Sequence, residues 1–353
     1  MLFAATRRWC TLKRTKMAAT NPRSAGLSVR RALPDDKPRI IATLAEYLPT
    51  LDAEQRWRWL YETNPHGRAM TWLAIEDKSG EVAGMTSFFA RRLIVDGEIV
   101  AGALGGDGYV RPAFRRRGLG ERMHAASRAD MPALGLEIMF GTPMPANLTP
   151  LTKAGARSIA ETVRYVRLLD ARALGLSRPW GRNLLRLASL RQRTARLEPM
   201  QPNDPRVDEA WQRTVGELRI ATVRDAAFYT WRFLQSPSQQ QRGYVVLDGA
   251  RVLGACALER MGDRLRIVDL VVPRGDLGAT FDAIEHAFPD VVGLELKLTD
   301  AHGRALGIHR HGFFARGEKP LNLLLPPGEP RAAVYYDPTR WYFSWADSDM
   351  DQA

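Results

Sequence analysis

Residues 109–123 read YVRPAFRRRGLGERM and place three consecutive arginines directly before two glycines. The like charges of Arg115, Arg116 and Arg117 repel one another unless an anion lies among them. Glycine lets a ligand approach the backbone closely, and a loop that leads into a helix presents unpaired N–H groups at the positive end of the helix dipole. The segment therefore predicts a phosphate site between a strand and a helix.

Three kinds of phosphate loop could account for this pattern. A Walker A loop needs GxxxxGK followed by Ser or Thr, and the sequence contains no such run. A dinucleotide fingerprint needs a third glycine, which is missing after GLG. The pattern that remains is Arg/Gln-x-x-Gly-x-Gly/Ala, and it is fitted by Arg115, Gly118 and Gly120.

The hydrophobic periodicity around this loop predicts one α+β domain over residues 27–170. A strand over 27–33 is followed by two helices, an antiparallel meander that ends in the loop, a helix to about residue 129 and an apolar strand. A helix-like connection, PMPANLTPLTKAGA, then leads to a last strand, TVRYVRLLD.

The second half of the chain repeats this order. The segment YTWRFLQSP at 229–237 matches WRWLYETNP at 57–65, with Trp231 in the place of Trp59. We therefore expect a second copy of the domain over residues 204–345. A basic linker, 171–203, joins the copies and is predicted to contain a helix. The ends are predicted to be a disordered basic extension (1–26) and a solvated acidic tail (346–353).

The run Arg115-x-x-Gly118-x-Gly120, with Val110-x-Pro112 before it, resembles the pyrophosphate loop of the GCN5-related N-acetyltransferases, the GNAT superfamily. The resemblance implies two tandem GNAT-like α+β domains, each with a mixed, mostly antiparallel sheet flanked by helices. It also implies an acyl-CoA-dependent N-acyltransferase with acetyl-CoA as the co-substrate. The acceptor would be an amine of a small molecule or peptide, which attacks directly without a covalent enzyme intermediate.

The resemblance also assigns ligand contacts residue by residue. The pantetheine arm would bond to the backbone of Tyr109, Val110 and Arg111 and to the side chain of Asn147. The pyrophosphate would lie on the loop formed by Arg115, Arg116, Arg117, Gly118, Leu119 and Gly120.

The second copy departs from the pattern at this loop. It reads RGDLG, in which Asp276 would repel a pyrophosphate. We therefore expect only the first copy to bind CoA, and the second to shape the substrate pocket or the domain interface.

Direct attack needs a base for the amine and an acid for the leaving thiolate. The family often places a tyrosine before a KxG turn as the acid, but this chain has Leu151 and Thr152 there. Tyr109 and Tyr165 are therefore the candidate acids, with strand packing as the alternative for each. Asp107 is the candidate base, with a turn residue in GGDG as the alternative.

The net charge of +12 is concentrated in two segments. Residues 1–34 hold eight Lys or Arg and residues 171–197 hold seven Arg, with no acid in either, so the rest of the chain is slightly acidic. A nucleic-acid partner is therefore not expected. Two widely separated cysteines and the lack of an apolar run of about 18 residues predict a protein of the reducing cytoplasm without a membrane span.

A metal site is not expected either. His302, His309 and His311 lie close in sequence, but no carboxylate or cysteine spacing completes a ligand set.

Two other functions compete with acyl transfer. A non-catalytic acyl-CoA sensor or scaffold would keep the loop without acid and base groups. An aminoacyl transferase like the FemABX enzymes would use charged tRNA and would suit the basic linker, although the CoA loop of the first copy argues against it. The sequence identifies neither the acceptor nor the oligomeric state.

Overall fold

Strands and helices alternate along the chain in the order that the hydrophobic pattern predicts. The computed structural model describes residues 26–170 and 194–348. The first half contains β1 (Leu27–Arg31), α1 (Lys37–Tyr47), α2 (Ala53–Arg56), β2 (Met70–Glu76), β3 (Val82–Val95), β4 (Glu98–Val110), α3 (Leu119–Asp130), β5 (Ile138–Gly141), α4 (Pro145–Lys153) and β6 (Arg157–Leu168). The second half contains β7 (Ala195–Pro199), α5 (Pro205–Val215), β8 (Ile220–Thr222), α6 (Ala226–Tyr229), β9 (Gln241–Asp248), β10 (Arg251–Met261), β11 (Arg264–Val271), α7 (Leu277–Ala287), β12 (Gly293–Thr299), α8 (Asp300–Leu306), β13 (Phe314–Leu324) and α9 (Ala332–Tyr335).

The helices α2 and α6 begin in the same way in the two halves. The carboxylate of Asp52 accepts a hydrogen bond from the amide of Gln55, and the carboxylate of Asp225 accepts one from the amide of Phe228. Each is an N-cap that satisfies an amide without an intrahelical partner. Each helix then continues as a π-helical turn, over Trp57–Glu62 and Thr230–Leu234.

All thirteen strands of the described ranges lie in one sheet, in the order β1-β2-β3-β4-β5-β13-β6-β12-β11-β10-β9-β7, with β8 paired to β3. The sequence predicts a separate sheet for each half, and the structure differs because the halves exchange their last strands. The strand β13 of the second half pairs with β5 of the first, and β6 of the first half pairs with β12 of the second. The exchange covers the edges of β5 and β12, which would otherwise carry unpaired N–H and C=O groups.

Two tryptophans join the halves at the positions that the repeat aligns. The Nε1 of Trp59 donates to the carbonyl of Trp231 at 2.9 Å, and the Nε1 of Trp231 donates to the carbonyl of Trp59 at 2.9 Å. The rings stack with their centroids 5.1 Å apart. Both residues belong to one hydrophobic cluster that runs through both halves, so the core is shared rather than divided at a domain boundary.

The predicted linker is too long at its carboxyl end. Residues 195–199 form β7, which pairs with β9 from Ala195 opposite Asp248 to Pro199 opposite Tyr244. The predicted basic helix falls within 171–193, which lies outside the described residues, as do residues 1–25 of the extension and 349–353 of the tail. Within the described ranges, no helix has both the length and the apolar character needed to span a membrane.

The prediction of a solvated acidic tail is wrong at Asp347, which is 1% exposed. Its carboxylate forms an ion pair with Arg224, whose Nε also lies 3.0 Å from Asp269. Arg224 and Asp269 are fully buried, and Ser344 donates to the same Asp269 carboxylate. A buried arginine needs compensating charge, so the residues before the carboxyl terminus fold into the second half.

We expect the substitution Asp347→Ala to lower the free energy of unfolding by about 3–5 kcal/mol, because it leaves the buried Arg224 with one carboxylate instead of two. Urea denaturation followed by circular dichroism measures the change. The control is Asp290→Ala, which removes an exposed ion pair with Arg260 and should cost less than about 1 kcal/mol. Equal losses in the two variants would contradict the structural role of Asp347.

Candidate functional site

A V-shaped cleft opens in the first half where β4 and β5 separate. The two strands pair in parallel over only three residue pairs, from Gly102 opposite Ile138 to Leu104 opposite Phe140. Beyond that point β4 continues to Val110, whereas β5 ends at Gly141. A shift of register against β3 accommodates Asp107, whose φ is 45°, and bends β4 further from β5.

The predicted pyrophosphate loop forms the outer end of this cleft. Arg116 and Gly118 have φ of 63° and 73°, and Gly118 caps α3 without a side-chain hydrogen bond. The first amides of α3 are therefore left without a side-chain acceptor, at the positive end of the helix dipole. At Gly120 a Cβ would stand 3.2 Å from Pro150, so glycine permits close packing of α3 on α4.

The three arginines of this loop have different surroundings. Arg115 and Arg116 line the outer cleft, and Arg115 donates from Nε to the carbonyl of Val110 at 3.0 Å. Arg116 makes no hydrogen bond or ion pair with any described residue. Arg117 instead lies over the ring of Phe114, 5.5 Å from its centroid, and is not part of the lining. Two of the three predicted arginines are thus placed to meet an anion.

The exposed edge of β4 differs from the prediction at Arg111. Its amide donates to the carbonyl of Ala83 on β3 at 3.0 Å, and its guanidinium is bonded to Glu46 and Glu81. Backbone groups alternate in direction along an antiparallel ladder, so Val110 turns its N–H and C=O toward the cleft. Of the predicted backbone contacts, Val110 is therefore suitably directed, and Arg111 is not.

Tyr109 lines the outer cleft but its hydroxyl is already engaged. It donates to the carboxylate of Glu46 at 2.8 Å, and its ring lies 5.1 Å from that of Tyr47. Burial, together with this hydrogen bond to Glu46, raises the pKa of Tyr109. The phenol therefore stays protonated. Its O–H donates a hydrogen bond to Glu46 and not to a group in the inner part of the cleft, between β4 and β5.

Asn147, for which the sequence predicts a bond to a pantetheine arm, borders the cleft. It lines both the outer and the inner cleft from α4, and its Nδ2 lies 3.4 Å from the carbonyl of Gly108. A Cβ at Gly108 would stand 2.9 Å from the same Nδ2, so glycine lets the amide cross the cleft. Asn147 can therefore exchange this long bond for one to a ligand.

Asp107 lies at the inner cleft as part of a buried network. Its Oδ1 is 2.7 Å from Nη2 of Arg56, and its Oδ2 accepts a hydrogen bond from Tyr61 at 2.7 Å. It is 3% exposed and forms an ion pair with an arginine that is equally buried. Accepting a proton would break that pair, so the arrangement argues against Asp107 as the base and favours a role in holding the bent end of β4.

Tyr165 lies away from this cleft. It stands on β6 between Leu296 of β12 and Ala315 of β13. Its phenol occupies the space beside Gly303 of α8, where a Cβ would collide with it. The predicted role of Tyr165 as the acid is therefore contradicted by its position, because the exchange of strands carries β6 into the second half.

The inner cleft contains a residue that the sequence analysis missed, His124 of α3. The wall here also includes Leu151 of α4. His124 is 8% exposed, and its Nδ1 is buried without a hydrogen-bond partner among the described residues. Burial lowers the pKa of His124 to about 4, so the ring is neutral at physiological pH. The sequence feature that could have pointed to His124 is a titratable residue directly after Met123, on the apolar face of α3.

The corresponding cleft of the second half is filled by the chain itself. The strands β11 and β12 pair from Arg264 opposite Gly293 to Ile267 opposite Leu296 and then separate. Tyr342 enters the gap, with its hydroxyl 3.2 Å from the amide and 3.0 Å from the carbonyl of Leu270. The ring of His302 lies 5.0 Å from the ring of Tyr342. His302 is the third residue of α8, the position that Asn147 holds in α4.

The loop of the second half is also closed to an anion. Six residues separate Pro112 from Leu119 in the first half, but only three separate Pro273 from Leu277. The carboxylate of Asp276 lies in this shorter loop, 2.7 Å from Arg213 and 2.6 Å from Arg251. Asp276 thus takes up the positive charge of Arg213 and Arg251, and the repulsion of a pyrophosphate by RGDLG stays a prediction.

The low pKa of His124 predicts a loss of stability in acid. The unfolded chain takes up a proton near pH 6.5 and the folded chain only near pH 4, so stability falls as pH drops through this range. Between pH 7 and pH 4, wild type should lose on the order of 3 kcal/mol more than His124→Leu. Urea unfolding at several pH values measures this difference. The control is Ser127→Ala on the same helix, which changes no titratable group.

Within the described ranges, no group of three or more His, Cys, Asp or Glu side chains is arranged to hold a metal ion. No protein-family model and no curated protein matches the sequence.

Solved structures resemble the chain over most of its length. A GCN5-related N-acetyltransferase from Anabaena variabilis ATCC 29413 is 16% identical with a TM-score of 0.64, covering 84% of this chain and 72% of that one. A probable N-acyltransferase, described as a conserved protein of unknown function, from Enterococcus faecalis V583 is 10% identical with a TM-score of 0.65, covering 84% and 72%. A GCN5-related N-acetyltransferase from Kribbella flavida is 14% identical with a TM-score of 0.59, covering 86% and 72%. The resemblance predicted from the loop is therefore confirmed at the level of the fold, which is that of the GCN5-related N-acetyltransferases.

Proposed function

We propose that the chain is an acyl-CoA-dependent N-acyltransferase that moves an acetyl group from acetyl-CoA to an amine of a small molecule or peptide. The observation that carries the proposal is the continuous cleft of the first half. It begins at the unpaired amides of α3 beside Arg115 and Arg116, and it ends at the inner pocket between β4 and β5. The fold of the structural neighbours supports acyl transfer in general.

The residues along this cleft fit the parts of CoA in order. The loop amides and two arginines suit a pyrophosphate, because charge-assisted hydrogen bonds from arginine are strong and directional. The amide of Val110 on the cleft edge of β4, with Asn147 opposite, suits the carbonyl groups of a pantetheine arm. Lys153 also borders the outer cleft, where its Nζ lies 3.7 Å from the carboxylate of Glu121. A backbone N–H of β4 at the inner cleft would polarise the thioester carbonyl.

Transfer by direct attack needs no covalent enzyme intermediate. The amine nitrogen forms a bond to the carbonyl carbon, the carbon–sulfur bond breaks, and the thiol leaves with the electron pair. The attacking nitrogen loses a proton in the process, which balances the proton that the thiolate finally takes up. The protein contributes position and electrostatic stabilisation at the inner cleft.

We expect Arg115→Ala with Arg116→Ala to weaken acetyl-CoA binding by about 10–100-fold, because two charge-assisted contacts to phosphate are lost. Isothermal titration calorimetry measures the change, and it should also give one site per chain because Tyr342 fills the second cleft. The matched control is Arg117→Ala, because the Arg117 side chain lies over Phe114 and not in the cleft. This variant should alter the affinity for acetyl-CoA less than about threefold. Equal losses in both variants, or no binding by wild type, would contradict the proposal.

Turnover with a panel of amines separates an enzyme from its two alternatives. We expect at least one amino sugar, amino acid, polyamine or peptide to cause release of the CoA thiol, measured with a thiol reagent. Binding of acetyl-CoA without release of the CoA thiol in the presence of any amine would support the non-catalytic sensor. Salt-sensitive binding of tRNA with no binding of acetyl-CoA would support the aminoacyl transferase.

A further inference from the structure

The departing thiol presents a problem that the described cleft has to solve. Cleavage of a thioester leaves negative charge on sulfur, and an N–H or O–H donor placed beside it lowers the barrier. The pyrophosphate seat is at the outer end of the cleft, so the sulfur of a bound acyl-CoA belongs at the inner end. The donor is therefore to be sought among the side chains that line the inner pocket.

The groups nominated by the sequence do not supply this donor. The carboxylate of Asp107 accepts hydrogen bonds from Arg56 and Tyr61 and has no proton to give. Tyr109 lies at the outer cleft and donates to Glu46. Leu151, which borders the inner pocket from α4, carries no polar atom.

His124 meets the requirements that these residues fail. It borders the same inner pocket as Leu151, from the neighbouring helix α3. Its Nδ1 is buried and has no hydrogen-bond partner among the described residues, so no protein hydrogen bond at that nitrogen fixes the tautomer of the ring. A buried polar group without a partner costs free energy, and such groups are rare in folded proteins.

We propose that His124 donates a hydrogen bond to the thioester sulfur and stabilises the thiolate as it leaves, in place of a hydroxyl on α4. The inference rests on the proposed function, since it assumes that acyl-CoA occupies the cleft. The ring stays neutral throughout and only donates a hydrogen bond. The carbon–sulfur bond breaks toward sulfur, the carbon–nitrogen bond forms, and the proton released by the attacking amine passes to solvent while the thiolate takes one up.

The test that does not depend on the acceptor is the pKa of the thiol of bound CoA, followed by ultraviolet absorbance of the thiolate. A hydrogen bond to the thiolate favours the charged form. We expect the pKa of the bound thiol to rise by about one to two units in His124→Phe, and to stay within about half a unit of wild type in His124→Gln, which keeps an N–H donor. The control Ser127→Ala removes a buried hydroxyl of the same helix that bonds its own turn and should leave the thiol pKa unchanged.

Turnover with the best amine of the panel gives a second readout. In His124→Phe we expect kcat to fall about 10–100-fold while KM for acetyl-CoA changes less than about threefold, and His124→Gln should recover most of the loss. Adding Leu151→Tyr to His124→Phe should restore part of kcat by placing a hydroxyl at the inner pocket. If the Phe variant does not fold, His124→Leu against His124→Gln makes the same comparison.

The failures can be told apart. An unchanged thiol pKa in the Phe variant, with CoA still bound, would overturn the role of His124 and leave the proposed function intact. Equal loss in the Phe and Gln variants would also overturn it, since a packing role does not distinguish donors. Absence of CoA binding by wild type would instead defeat the proposed function.

Discussion

The early separation of two parallel strands is the feature on which the rest of this molecule depends. Parallel pairing of β4 with β5 lasts for three residue pairs, and the bulge at Asp107 then carries β4 away. The backbone groups freed by this separation are directed into a cleft that α3 and α4 close on one side. The edge of β5 opposite β4 would be left bare as well, and it is covered by β13 from the other half. The cleft and the exchange of strands are thus linked consequences of one sheet geometry.

The same geometry has opposite outcomes in the two halves. In the first, glycine and arginine leave the loop open to an anion, and the inner end keeps a neutral histidine without a partner. In the second, Asp276 is bonded to two arginines and Tyr342 bonds to the strand backbone. The second cleft satisfies its polar groups internally, so its contribution is to stability and to the shared core. A working cleft retains groups that only a ligand can satisfy.

Buried charge holds both strand bends in place. Asp107 is paired with Arg56 and bonded to Tyr61, and Asp269 is paired with Arg224 and bonded to Tyr229. The loss of one partner from such a pair costs more than the pair contributes. These networks fix the position of the separating strands, and the second extends to Asp347. A carboxylate at the cleft is therefore better explained by positioning than by proton transfer.

Local sequence patterns were sufficient to predict much of the structure of this protein. Loop type and the succession of helices and strands follow from neighbouring residues, because backbone conformation acts over a few positions. The exchange of β6 and β13, the removal of Tyr165 from the site and the burial of Asp347 depend on contacts between residues far apart in the chain. His124 belongs to this second group. Its helix and its apolar face could be predicted, but the pocket that it lines exists only where α3, α4 and two separating strands meet. The sequence by itself determined which segment joins arginines to a glycine turn at the start of a helix, and tertiary packing decided which side chains stand at the other end of the cleft, because pairing across a sheet is not encoded by local periodicity.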